Sequence, residues 1–163
     1  MRQLKVFDFG SATCVKRQYC TKELYVMTGA AGSHAYMAPE VVLCEPYNES
    51  VDIYSFGIIL WQLVSGEVPY EAMYEDEYMK RVVHEGERLP ISDDLPQELS
   101  ILIRQCWDAE QINRPTAIQV CKSLDKIIKA MDRSNAKRFY SFPRIFSRNI
   151  RVGIEDNNCW PLF

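Results

Sequence analysis

Apolar and polar positions along this chain fall into blocks that change period several times. Leu4 to Phe7 is a short apolar run that predicts a strand. From Gly10 to Gly32 the chain is polar, rich in Thr and without period, the pattern of a long functional loop. Pro39 then introduces a short apolar turn of helix. Asn48 reads as the N-cap of a helix from about Glu49 to Val64, apolar on nearly every side and therefore expected to be buried all round, with Gly66 and Pro69 ending it. A second helix, from about Ala72 to Glu85, mixes Tyr74, Tyr78, Val82 and Val83 with charge, predicting an amphipathic surface element broken by Gly86 and Pro90. A third, from about Gln97 to Trp107, sets Leu99, Leu102, Ile103 and Cys106 at helical spacing. The last opens with Thr116 and Gln119 in capping-box register after Pro115, then repeats Ile118, Cys121, Leu124, Ile127 or Ile128, and Met131 on one face.

Beyond Met131 the periodicity stops. Residues 132–163 alternate Arg with Phe and Tyr, which predicts a loosely attached or disordered tail. The division expected is therefore residues 1–131 as one mainly α unit, with at most a short strand near its start, and residues 132–163 as a basic aromatic extension.

At 163 residues, 47% hydrophobic and 25% charged, the chain is long enough for one domain with a core. The net charge of −3 argues against nucleic acid or a membrane surface as partner. It is unevenly spread: Arg133, Lys137, Arg138, Arg144, Arg148 and Arg151 against Asp132, Glu155 and Asp156 give the tail +3, leaving −6 for the rest. A basic aromatic tail can meet nucleic acid or an anionic membrane, but with so few basic residues and no periodicity a solvated extension is the reading. The cysteines (Cys14, Cys20, Cys44, Cys106, Cys121, Cys159) form no CxxC pair and have no His at zinc spacing, so most are expected to be small buried hydrophobes. Without a signal peptide at Met1 or an apolar run of bilayer-spanning length, reduced thiols and a cytoplasmic or nuclear location are expected, with cytoplasmic favoured.

Candidate chemistry enters with Asp8, Phe9 and Gly10. Alone, they read as a strand end turning through Gly. Downstream, however, come Ala38, Pro39 and Glu40 in "AYMAPEV", Asp52 to Gly57 in "DIYSFG", and Arg114 and Pro115 in "INRPT". This order and separation resembles the C-terminal lobe of eukaryotic protein kinases, from about Leu4 to Met131, DFG and APE bracketing an activation segment. "GSHAYMAPEV", "DIYSFGIILWQLVSGEVPY" and "CWDAEQINRPT" are most similar to the tyrosine-kinase-like group of serine/threonine kinases, the Raf-like relatives.

The resemblance implies a mainly α, truncated C-lobe of the protein-kinase-like fold, and an intact kinase using ATP and Mg²⁺. Asp8 would hold Mg²⁺, Phe9 would pack between lobes, and Gly10 would permit the turn. Glu40 and Arg114 would form a buried structural ion pair. Asp52 would accept hydrogen bonds from a catalytic-loop backbone. Ser33, with Thr28 and Tyr36 in the same segment, would belong to the substrate platform, favouring a protein Ser or Thr hydroxyl as target. Ser11, Thr13, Tyr19, Thr21, Tyr25, Thr28 and Ser33 are all open as phosphorylation sites, with no choice among them.

Several family parts are not found. Neither His34 nor His84 is followed by Arg and Asp, so no HRDxxxxN loop is present, and with it no catalytic Asp. A Gly-rich loop and a strand Lys with a helical Glu partner are also lacking. The expectation is a kinase fragment that by itself binds ATP and Mg²⁺ poorly and transfers no phosphate. Partners implied are a protein substrate and a chaperone or regulatory protein. The alternative is a non-catalytic, pseudokinase-like binding module presenting its second helix; a product with no stable fold is a weaker third.

Overall fold

In the computed structural model, residues 9, 10, 12–14, 33–133 and 161–162 are described, and everything below concerns them. The 16-residue helix α2 (Ser50–Ser65) is the central element, after a one-turn helix α1 (Pro39–Val42). It starts where Asn48 predicts: the Asn48 side-chain oxygen accepts the Ser50 N–H at 2.9 Å, satisfying one of the donors a helix start leaves open. It stops at Gly66, whose φ of 74° is left-handed and whose N–H donates to the Gln62 carbonyl at 2.9 Å.

Val51, Ile53, Tyr54, Gly57, Ile58, Leu60 and Trp61 of α2 are buried, mainly against α4 (Gln97–Cys106), which contributes Leu99, Leu102, Ile103 and Cys106 as its spacing predicts. At the crossing the two backbones come close. A Cβ on Gly57 would sit 2.7 Å from the Cys106 Cβ, so the contact requires a residue without a side chain. Burial is not complete around α2, since Ile59 is exposed.

The stretch expected to form one helix from Ala72 to Glu85 is shorter and changes winding. The single turn α3 (Glu75–Tyr78) runs directly into a π-helical segment, Met79–His84, in which the Glu85 N–H reaches the Lys80 carbonyl at 3.0 Å. Tyr78 and Val82 face the core as expected, but Tyr74 precedes the helix and is 83% exposed.

The final helix α5 (Ala117–Arg133) begins with the capping box in place. Thr116 Oγ1 accepts the Gln119 N–H at 3.3 Å, and Gln119 Oε1 accepts the Thr116 N–H at 2.7 Å. Its inner face differs from the expected one. It runs Ala117, Val120, Leu124, Ile127 and Met131, while Ile118 is 48% exposed. Ile118 and Val120 are both apolar, so spacing alone fits either face; packing against α4 selects the one carrying Val120.

Of the three cysteines whose side chains are described, Cys106 is fully buried, and burial pushes its thiol up to about 12, whereas Cys121 is half-buried and Cys44 exposed. All three are free. The strand expected at Leu4 to Phe7 lies outside the described residues. Two strands of two residues occur elsewhere, β1 (Thr13–Cys14) and β2 (Pro161–Leu162). No described helix is long and apolar enough to cross a membrane.

Candidate functional site

The segment Ser33–Met37 is tied down by its neighbours. A short 3₁₀ turn, His34–Tyr36, closes with the Tyr36 N–H on the Ser33 carbonyl (3.0 Å) and the Met37 N–H on the His34 carbonyl (3.1 Å). α2 then holds it at two points: Ser55 Oγ donates to the Tyr36 carbonyl at 2.8 Å, and the Tyr36 hydroxyl donates to Gln62 Oε1 at 2.9 Å. From the opposite side the Tyr78 hydroxyl reaches the Met37 carbonyl at 3.4 Å. Ser33 itself is exposed, and His34 lies 3.7 Å from Glu75. The arrangement anchors the backbone at Tyr36 and Met37 and leaves the Ser33 side of the turn exposed.

Immediately after it, Ala38 is buried and Glu40 turns inward. Arg114 Nη1 meets Glu40 Oε1 at 2.5 Å and Nη2 meets Oε2 at 3.0 Å, both residues only 4% exposed. The guanidinium also donates to the carbonyls of Asp108 (2.9 Å) and Ser50 (3.3 Å), and lies 5.0 Å from the centre of the Tyr54 ring. A carboxylate and a cation taken out of water thus have nearly all their hydrogen-bonding capacity met.

Asp52 is half-buried in the first turn of α2, where the helix dipole favours a carboxylate. Its charge bears on Tyr47, whose hydroxyl pKa is raised by burial first and by Asp52 second. Phe9 is 54% exposed and Gly10 is exposed, while Ala12 N–H donates to the Phe9 carbonyl at 3.1 Å in a turn. Asp8 and Thr28 lie outside the described residues.

Arg88 carries structural weight that no sequence motif announced. Its Nε donates to the Trp107 carbonyl at 3.0 Å and its Nη1 to the Val82 carbonyl at 3.1 Å, capping the ends of α4 and of the π-helical segment together. It also faces the Tyr54 ring from 5.5 Å, so that one tyrosine is in contact with two guanidinium groups. A wholly buried tyrosine in an apolar helix was the available signal that cations would gather there. Burial raises the hydroxyl pKa of Tyr54, Tyr70 and Tyr78 alike, and Tyr70 meets Tyr78 edge to face at 5.3 Å.

Whether these residues fit a nucleotide and metal can be tested on the donor set. Among the described residues no three His, Cys, Asp or Glu side chains converge as metal ligands. Surface cavities of about 320 Å³ beside Tyr70, Met73, Glu77 and Arg88, and of about 300 Å³ beside Ile112, Arg114 and Gln119, are not lined by Phe9, Gly10 or Ser33.

What the geometry defines is a helical unit in which a buried ion pair, Glu40–Arg114, directly follows the anchored segment Ser33–Met37. The protein kinase domain model matches residues 1–124, and the chain belongs to the protein kinase family. It is 35% identical over 127 residues to the dual specificity protein kinase shkC of Dictyostelium discoideum, covering 77% of this chain and 24% of that protein. It is 38% identical over 122 residues to mitogen-activated protein kinase kinase kinase 12 of Rattus norvegicus (75% and 13%), and 39% identical over 125 residues to the serine/threonine-protein kinase VIK of Arabidopsis thaliana (76% and 28%). The chain spans about a quarter or less of the length of most of these relatives.

Proposed function

We propose that this chain is the substrate-platform and activation-segment lobe of an ATP- and Mg²⁺-dependent protein kinase of the tyrosine-kinase-like group, acting on protein Ser or Thr hydroxyls. The observation that carries the reading is the anchorage of Ser33–Met37 by Ser55, Gln62 and Tyr78 directly ahead of the Glu40–Arg114 clamp. In such a site Asp8 holds the metal, which neutralises phosphate charge, and the platform presents the acceptor hydroxyl. The Gly-rich loop, strand Lys and HRD loop are not in these 163 residues, so a working enzyme joins this lobe to a segment that supplies them, and the lobe by itself is inactive. A cytoplasmic location is part of this reading.

The test is a fusion that joins the missing half of a Raf-like kinase ahead of Leu4. Phosphate transfer to Ser or Thr of a generic protein substrate, abolished by Asp8→Asn, is expected; a folded fusion with no transfer, or with transfer indifferent to Asp8, overturns the reading. Transfer to Tyr as well would extend it toward the dual specificity named for one relative. The lobe alone should show no thermal stabilisation by ATP and Mg²⁺.

A second reading, a non-catalytic binding module, is favoured by one observation: Tyr74, a large aromatic side chain directly ahead of α3, is 83% exposed, as suits a contact with a regulatory protein or chaperone. Partner binding abolished by Tyr74→Ala, in a fusion that transfers no phosphate, would select it.

A further inference from the structure

Two irregular stretches of backbone meet at one cleft. Tyr70 has a φ of 54°, a left-handed value that sterics make costly for a residue with a Cβ. Its hydroxyl is buried with no hydrogen-bond partner, although a tyrosine in a protein interior ordinarily finds one. Further along, Met79–His84 is wound as a π-helix, a form that recurs at functional sites. Tyr70 and Arg81, one from each stretch, both line the cavity of about 320 Å³.

The lining is held from behind. The Tyr70 carbonyl accepts the Met73 N–H at 3.0 Å, and the Tyr70 ring packs edge to face on Tyr78. The second lining stretch, Glu87–Pro90, is fixed as well: the Pro90 carbonyl accepts the Trp61 indole N–H at 2.6 Å, and the Glu87 N–H donates to the Arg81 carbonyl at 2.8 Å. Ligand clefts run from about 300 to 1,000 Å³, so this one is at the small end and one ring with a short arm fills it. Tyr70, Met73, Leu89 and Pro90 supply apolar lining, and a thioether such as that of Met73 favours contact with an aromatic ring.

The charged lining selects the sign of the ligand. Arg81 is engaged by Glu77 and Glu87, and Arg88 by the carbonyls of Trp107, Val82 and Glu87. Glu71, the third carboxylate of the lining, is exposed and has no ion pair among the described residues. Three carboxylates stand against two guanidiniums that are already bonded, so an anion is repelled and a cation finds Glu71.

We propose that this cleft is a binding site for a small amphipathic amine, its aromatic ring seated against Met73, Leu89 and Pro90 and its ammonium group paired with Glu71. The site goes beyond the kinase reading. It shares no residue with the Ser33–Met37 turn or the Glu40–Arg114 clamp, and it stands or fails independently of phosphate transfer.

The test titrates the full chain, isotopically labelled at its methionine methyl groups, with phenethylamine at neutral pH and with hydrocinnamate as the anion of matching shape. Loss of one resonance in Met73→Leu identifies the Met73 methyl. Phenethylamine should shift that resonance saturably and leave that of Met131, outside the lining, in place. Hydrocinnamate at equal concentration should shift it less than about a tenth as far, because its carboxylate meets net negative charge. Glu71→Gln should weaken binding of the amine about threefold, the size of an exposed charge pair. Glu67→Gln removes an exposed carboxylate outside the lining and should change nothing. A Met73 methyl indifferent to the amine, equal responses to the two probes, or equal effects of Glu71→Gln and Glu67→Gln overturn the proposal.

Discussion

Arg114 meets both carboxylate oxygens of Glu40 across 74 residues of sequence, and neither residue has contact with solvent worth the name. The pair ties the entrance of α1 to the loop that precedes α5. Removing one partner strands the other, so Glu40→Gln and Arg114→Met should each destabilise the lobe by about 3–5 kcal/mol in chemical denaturation. Exchanging the two residues should not restore stability. Arg114 also serves the carbonyls of Asp108 and Ser50, which an arginine at position 40 would not reach.

Gly57 sets the approach of α2 to α4. Gly57→Ala should cost about 1–3 kcal/mol by overpacking. Because the clash is with the Cys106 Cβ and not its sulfur, Cys106→Ala should fail to rescue it. Recovery of stability in that double variant would count against the geometry.

Arg88→Ala removes two charge-assisted hydrogen bonds to carbonyls at the ends of neighbouring elements. A loss of about 1.5–3 kcal/mol is expected. Hydrogen exchange should locate that loss in residues 79–88 and at the end of α4.

The Arg81–Glu87 pair, at 2.6 Å, is exposed and should respond to pH and salt. The hydrogen bond from Arg81 holds the Glu87 carboxyl below its ordinary pKa. Its contribution is therefore full above the usual glutamate range and fades as pH falls through the lower, folded value. Melting curves of the native chain and Glu87→Gln should differ most near about pH 7 and converge toward about pH 3, with high salt narrowing the gap.

Thr116→Ala should cost about 1 kcal/mol, as expected for one side of a capping box. Because Gln119 also accepts from the Thr116 N–H at 2.7 Å, part of the box survives that change. Adding Gln119→Ala should then lower the melting temperature further.

Much of this lobe could be read from the chain because its signals are local. Asn48, Gly66 and Thr116 mark helix ends by hydrogen bonds to residues only a few positions away, and the apolar spacing of α4 leaves one possible inner face. Glu40 and Arg114 were legible by another route, since short motifs surround each. Arg88 was not, because its partners are main-chain carbonyls, which every residue possesses. Ile118 misled because two apolar stripes on α5 compete and only packing against α4 decides between them. The pairing of Thr13–Cys14 with Pro161–Leu162 joins the two extremities of the chain, and two-residue strands have no period to detect.

The wide turn from Met79 to His84 holds one residue more than a regular helical turn. Lys80 is exposed, and replacing it with alanine should pass unnoticed. Deleting it would let the coil rewind to ordinary pitch, and the rewinding would absorb the missing residue with little change in the bearing of the chain downstream. Arg88 would then stay within reach of the two chain ends it fastens, so a lost codon should be tolerated in this stretch better than in the regular turns of α2 or α4.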